Sequence, residues 1–172
     1  MHQVTRQEAA SRPRLRKVPI EALTGLGWLS GTLHVPTHLA LSEFLALGSQ
    51  PLKLTDAQVP NEADRLAFVA LRRDAVVLAV PGLAEEGEGA ETSVYTSALQ
   101  VACLLPMGML RGTLRVIYNL RLSDHLQQTG HLLTLHRCLL APYGGTANSP
   151  GARGLHAAIV NLNHALGISE CG

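Results

Sequence analysis

The chain states one pattern twice, and this repetition limits what it can fold into more than any other feature. Residues 22–59 lie over residues 103–140 at a constant offset of 81, with no gap. Leu23/Leu104, Gly27/Gly108, Leu29/Leu110, Gly31-Thr32-Leu33/Gly112-Thr113-Leu114 and Val35/Val116 coincide. So do Leu39/Leu120, Leu41-Ser42/Leu122-Ser123, Leu45/Leu126, Leu52/Leu133 and Leu54/Leu135, and Glu43 faces Asp124. These are 13 identities in 38 positions. Chance in a Leu-rich chain gives roughly 3 or 4, so the segments read as a duplication. Two units of one kind are expected, each about 80 residues long and marginal alone, and therefore packed on each other.

Local signals within the repeat are mainly those of strands. Val18, Ile20 and Ala22 alternate with their neighbours, residues 24–27 carry turn chemistry, and residues 28–36 form a second strand. A short helix follows. Ser42 is the expected N-cap, Glu43 suits the first turn, and Gly48 is the expected stop. Ser123, Asp124 and Gly130 repeat that set of caps. A third strand spans 51–59, matched by 132–140. Each unit then closes with an expected hairpin: 68–71 turning at Arg72-Arg73-Asp74 into 75–80, and 157–160 turning at 161–163 toward 168. A helix over 157–166 is the competing reading of the last segment. The fold class is thus mainly β (α+β). We expect two tandem small barrels or rolls of about five short antiparallel strands and one short helix, packed as a pseudo-symmetric pair. The division is a basic arm over 1–16, units over 17–81 and 95–169, an acidic linker over 82–94 and a tail over 170–172.

The order strand, L-S-[DE]-x-L helix, strand resembles uncharacterised bacterial domains that carry an R-L-S-D-x-L motif. Arg121-Leu122-Ser123-Asp124-His125-Leu126 matches that motif in full. The first copy departs from it, with Ala40 for the Arg and Glu43 for the Asp. The resemblance implies a fold and no activity.

Composition narrows the function classes. Hydrophobic residues make up 47% and aromatics 3%, so the core must be aliphatic. Charged residues reach 16%, below the usual quarter, which fits a surface partly covered by a partner. A net charge of +1 argues against wholesale binding of nucleic acid or anionic membrane. Charge is nevertheless segregated. Arg6, Arg12, Arg14, Arg16 and Lys17 crowd the start, and Glu85, Glu86, Glu88 and Glu91 crowd the linker. Three cysteines without C-x-x-C spacing, no apolar leader and no long apolar run point to reduced thiols in a cytoplasmic protein.

Motifs for chemistry are sparse. The Ser–acid pairs suit helix capping, and the G-x-S-x-G and G-x-x-x-x-G-K-[ST] patterns do not occur. His34 and His38 run from a strand into a loop. His136 and Cys138 are expected on one strand face with His131 on the other, and no further ligand completes a set. The sequence therefore points to no catalytic residue, metal, cofactor or small-molecule substrate. It reads as a non-enzymatic interaction or assembly protein, with a protein partner or a second copy bound through β-rich faces and the basic arm. The alternative is a small-barrel nucleic-acid-binding regulator using that arm with Arg72 and Arg73 at a hairpin tip. A metal-dependent enzyme built on His131, His136 and Cys138 is the third reading.

Overall fold

The computed structural model describes residues 14–83, 96–144 and 151–171. Alternating apolar residues form ten strands: β1 (Leu15–Thr24), β2 (Gly27–Pro36), β3 (Leu52–Gln58), β4 (Leu66–Leu71), β5 (Val76–Pro81), β6 (Thr96–Leu105), β7 (Gly108–Ile117), β8 (Leu132–Ala141), β9 (Arg153–Asn161) and β10 (Gly167–Glu170). Helices α1 (Leu41–Ala46) and α2 (Leu122–Gln128) follow β2 and β7. The protein is mainly β, as its composition and periodicity indicate.

The strands make one antiparallel sheet in the order β10-β6-β7-β8-β9-β5-β1-β2-β3-β4. This corrects the expectation of two separate small barrels or rolls packed as a pair: one sheet runs through both halves. The sheet is open, and the two halves are joined through the backbone where β9 pairs with β5, Leu78 opposite Val160 and Ala79 opposite Ile159. The expected hairpins are corrected too. A 3-10 turn (Arg73–Ala75) carries the chain from β4, beside β3, to β5, beside β1. A second (Leu162–His164) carries it from β9, beside β8, to β10, beside β6. Residues 157–161 are strand, so the helical reading of that segment falls as well.

Two cores result, on opposite faces of β5. Val76 and Ala79 join Val18, Ile20, Ala22, Leu33, Val35, Leu52 and Leu54 in one. Val77, Leu78 and Val80 join Val101, Cys103, Leu110, Leu114, Leu133 and Leu135 in the other. Leu23 of β1 and Ile159 of β9 each enter the core of the opposite half. β5 is buried on both faces because the sheet passes from one core to the other there.

The strand ladders recur along the chain. The β1–β2 register, Thr24 opposite Gly27 back to Leu15 opposite Pro36, reappears 81 residues on, from Leu105 opposite Gly108 to Thr96 opposite Ile117. Both two-residue turns fall at the same place, Gly25-Leu26 and Pro106-Met107. A bulge also recurs. Between Ser30/Gln58 and Thr32/Thr55, β3 has Asp56 and Ala57 against the single residue Gly31. Between Arg111/Leu139 and Thr113/His136, β8 has Arg137 and Cys138 against Gly112. Asp56 and Arg137 take left-handed φ of 51° and 50° to make the extra step. The facing position is crowded: a Cβ on Gly31 would stand 3.3 Å from the Thr55 carbonyl oxygen, and one on Gly112 would stand 2.9 Å from Cys138 Sγ, so a larger residue needs its neighbours to shift.

That bulge overturns one expectation about β8. Arg137 shifts the alternation by one residue, so His136 is exposed while Cys138 is buried. The two do not share a face.

Candidate interaction edges

An open sheet ends in two strands whose outward N–H and C=O groups meet no further strand of their own sheet. Among the described residues those are β4 and β10. β4 reads Leu-Ala-Phe-Val-Ala-Leu, without charge, proline or glycine, and Leu66 and Phe68 are exposed. Edge strands are usually guarded by lysine, proline or a bulge. β4 has none of these within its span. β10 is short, Gly-Ile-Ser-Glu, and is preceded by the exposed Leu166.

The junction between the halves shows how such edges can be joined. At the centre are the two β5–β9 pairs. Asn161, buried, donates from Nδ2 to the Val76 carbonyl at 3.1 Å and accepts from the Asn163 N–H at 3.1 Å. His164 Nε2 lies 2.6 Å from the Asp74 carbonyl oxygen, linking the two 3-10 turns. Arg153 pairs with Glu21 and lies over the Trp28 ring, 4.3 Å from its centroid. An open cleft of about 480 Å³ borders this contact, lined by Glu21, Thr32, Asp56, Arg65, Arg153 and His156 among others. Its charged groups pair internally: Arg65 also meets Asp56 at 2.8 Å.

The residues singled out in the sequence fare unevenly. Arg6 and Arg12, and the linker glutamates Glu85, Glu86, Glu88 and Glu91, lie outside the described residues. Arg14 and Lys17 are exposed, whereas Arg16 donates to the Leu39 carbonyl at 3.0 Å. β1 begins at Leu15 and β10 ends at Glu170, so Leu15 and Arg16 belong to the sheet and not to an arm, and Glu170 to the sheet and not to a tail. Arg72 is held by Asp74 through an Nε–Oδ1 bond of 3.0 Å and a second contact. Arg73 is no hairpin tip. It donates to the carbonyls of Phe44 (2.8 Å), Leu45 (2.7 Å) and Gln50 (2.7 Å), and its guanidinium lies over the Phe44 ring. It thereby satisfies the orphan carbonyls at the end of α1. Burial pulls its pKa below the usual arginine value.

The helix caps also need correction. The N-caps are Ala40 and Arg121, neither of which makes a side-chain cap bond; Ser42 and Ser123 stand inside the first turn. At α1 the Ala40 N–H donates to Glu43 Oε2 at 3.0 Å, so the acid does the capping assigned to the serine. Ser123 Oγ reaches only its neighbour, Asp124 Oδ1, at 3.4 Å. Gly48 and Gly130 follow the C-cap residues with φ of 80° and 72°.

Cys103 and Cys138 are buried thiols whose pKa values burial pushes up to about 11 and about 12, Cys138 further through Cys103. They are apolar packing at neutral pH rather than nucleophiles. Among the described residues no three His, Cys, Asp or Glu side chains converge on a point that could hold a metal ion. No described helix is long and apolar enough to cross a membrane.

The edges were not singled out from sequence because β4 was read as half of a hairpin, which would have given it a neighbour on each side. A strand over 68–71 was legible; its exposure and its place at the end of the sheet were not. The fold and its ends define a β-sheet protein whose most distinctive surfaces are two strand edges. No protein-family model matches the chain, and comparison with curated proteins and with solved structures finds no similar protein.

Proposed function

We propose that this is a non-enzymatic protein-interaction or assembly protein, consisting of two quasi-equivalent β units, that acts by adding a partner's strand to its sheet. The observation that carries the reading is β4, a six-residue edge strand with exposed Leu66 and Phe68 and no charge to repel a partner. Main-chain hydrogen bonds along such an edge supply affinity, and alternate side chains supply specificity. The charged groups Arg65 and Asp56, and Arg153 and Glu21, which border the cleft, are engaged with each other. Arg16 and Arg73, two of the cations expected to grip nucleic acid, support the fold through backbone carbonyls, which weakens that alternative.

A photo-reactive residue placed at Ala70 in living cells tests the reading. The expected result is a discrete protein adduct that is not formed from Arg111, an exposed position on the interior strand β7. Equal labelling from both positions, or an adduct only to residues 1–13 of the same chain, would contradict it.

A further inference from the structure

The registers that recur at 81 residues through the first three strands recur at 89 through the last two of each half. Leu52 faces Leu71 and Ala57 faces Leu66 across β3 and β4; Leu133 faces Val160 and Cys138 faces Leu155 across β8 and β9. Ala22 faces Ala79 across β1 and β5; Cys103 faces Ile168 across β6 and β10. Each half therefore has the strand order 5-1-2-3-4 when its own strands are counted, and the order is β5-β1-β2-β3-β4 and β10-β6-β7-β8-β9. The junction joins the last strand of the second half, β9, to the first of the first half, β5. Left over are the counterparts of those two strands: β4, equivalent to β9, and β10, equivalent to β5.

Exposure follows this equivalence. On β9 and β5, which cover each other, Leu155 is 6% exposed, Ala157 7% and Val77 4%. Their counterparts on the uncovered edges are Leu66 at 41%, Phe68 at 54% and Leu166 at 72%. At the junction's own pair Ala79 and Ile159 are buried, whereas their counterparts on the edges, Ile168 and Ala70, are half-buried and exposed.

Resting on the assembly reading above, we propose that the partner is a second copy of this chain. Its β10 pairs antiparallel with β4 and reproduces the β5–β9 junction between molecules. The equivalence fixes the register. Leu78 opposite Val160 becomes Gly167 opposite Leu71, and Ala79 opposite Ile159 becomes Ile168 opposite Ala70. Arg72 takes the place of Asn161, whose amide holds the Val76 carbonyl, and faces the corresponding carbonyl of Ala165. The contact is head-to-tail: each copy uses two different edges, so copies add in one direction and form a ring where the rotation closes.

Trans disulfide formation tests the register. Ala70→Cys and Ile168→Cys are prepared separately, each with Cys171→Ser to remove the native thiol beside β10. Opposed residues in an antiparallel pair lie about 4.5–5.5 Å apart between Cα atoms, within disulfide range. Mild oxidation of the mixture is expected to link one variant to the other at least tenfold more than either variant links to itself. Cross-linking within a single variant would show a two-fold symmetric edge and overturn the proposal, as would no cross-link between folded variants. The double variant Phe68→Lys/Ala70→Lys, with an unchanged far-UV circular dichroism spectrum, is expected to abolish self-association; persistence of the oligomer would also overturn it. A photo-adduct from position 70 to a different protein, without a self-adduct, would remove the second copy as partner while leaving the interaction reading intact.

Discussion

Arg73 shows how a residue with the appearance of a binding group can belong to the scaffold. Its guanidinium collects three carbonyls from the end of α1 and the following loop, groups that would otherwise face a partly apolar pocket. Replacing it by Met keeps the stem and removes the donors. The expected loss is about 1–2 kcal/mol, since the site is half open to solvent, measured by urea unfolding. A loss below the error of that measurement would show that water replaces the guanidinium freely. The thiols give a second test at this scale. Folding keeps Cys103 and Cys138 neutral, with pKa values raised from 9.0 to about 11 and about 12. Their contribution to stability is therefore full below pH 9 and is lost as pH rises toward 11 and 12. Chemical unfolding at pH 8 and pH 10 should show the decline, and a thiol reagent at pH 8 should find Cys171 in the native state and all three cysteines after unfolding.

At the scale of elements, the bulges on β3 and β8 govern which side chains reach the core. Arg137 holds a left-handed φ of 50° that a branched residue resists. Arg137→Val should destabilise by about 1–2 kcal/mol, while Arg137→Gly should be neutral or slightly stabilising; thermal unfolding of the pair checks the order, and equal effects would contradict a backbone origin. The same element marks where reading from sequence stopped. The duplication from Leu23/Leu104 to Leu54/Leu135 was legible because glycine, leucine and valine at those places are dictated by turns and core. Beyond the bulge the chain has an eight-residue insertion before β9, and one identity, Leu66/Leu155, survives in the equivalent strands. Strand alternation also carries no information on the neighbour, so β4 and β5 looked like a hairpin when a 3-10 turn sends them apart. The Ser–acid spacing at the helices was visible, but which of the two residues does the capping depends on a one-residue difference in where the helix begins.

The whole molecule is one sheet serving two cores, and β5 belongs to both. The halves should therefore unfold together despite their separate interiors. Leu78, fully buried where the halves meet, is the position to test. Leu78→Ala should shift a single cooperative transition by about 2–5 kcal/mol, followed by circular dichroism and by Trp28 fluorescence; two separated transitions would contradict a shared core. The same continuity that fuses the halves leaves β4 and β10 at the ends of the sheet among the described residues, and the account depends on those edges being adhesive. Sedimentation velocity over a concentration series, comparing the unmodified chain with Phe68→Lys/Ala70→Lys, tests this most directly. The account predicts that the unmodified chain sediments as a multimer and the lysine variant as a folded monomer. A single monomeric species for both, at every concentration, would contradict it.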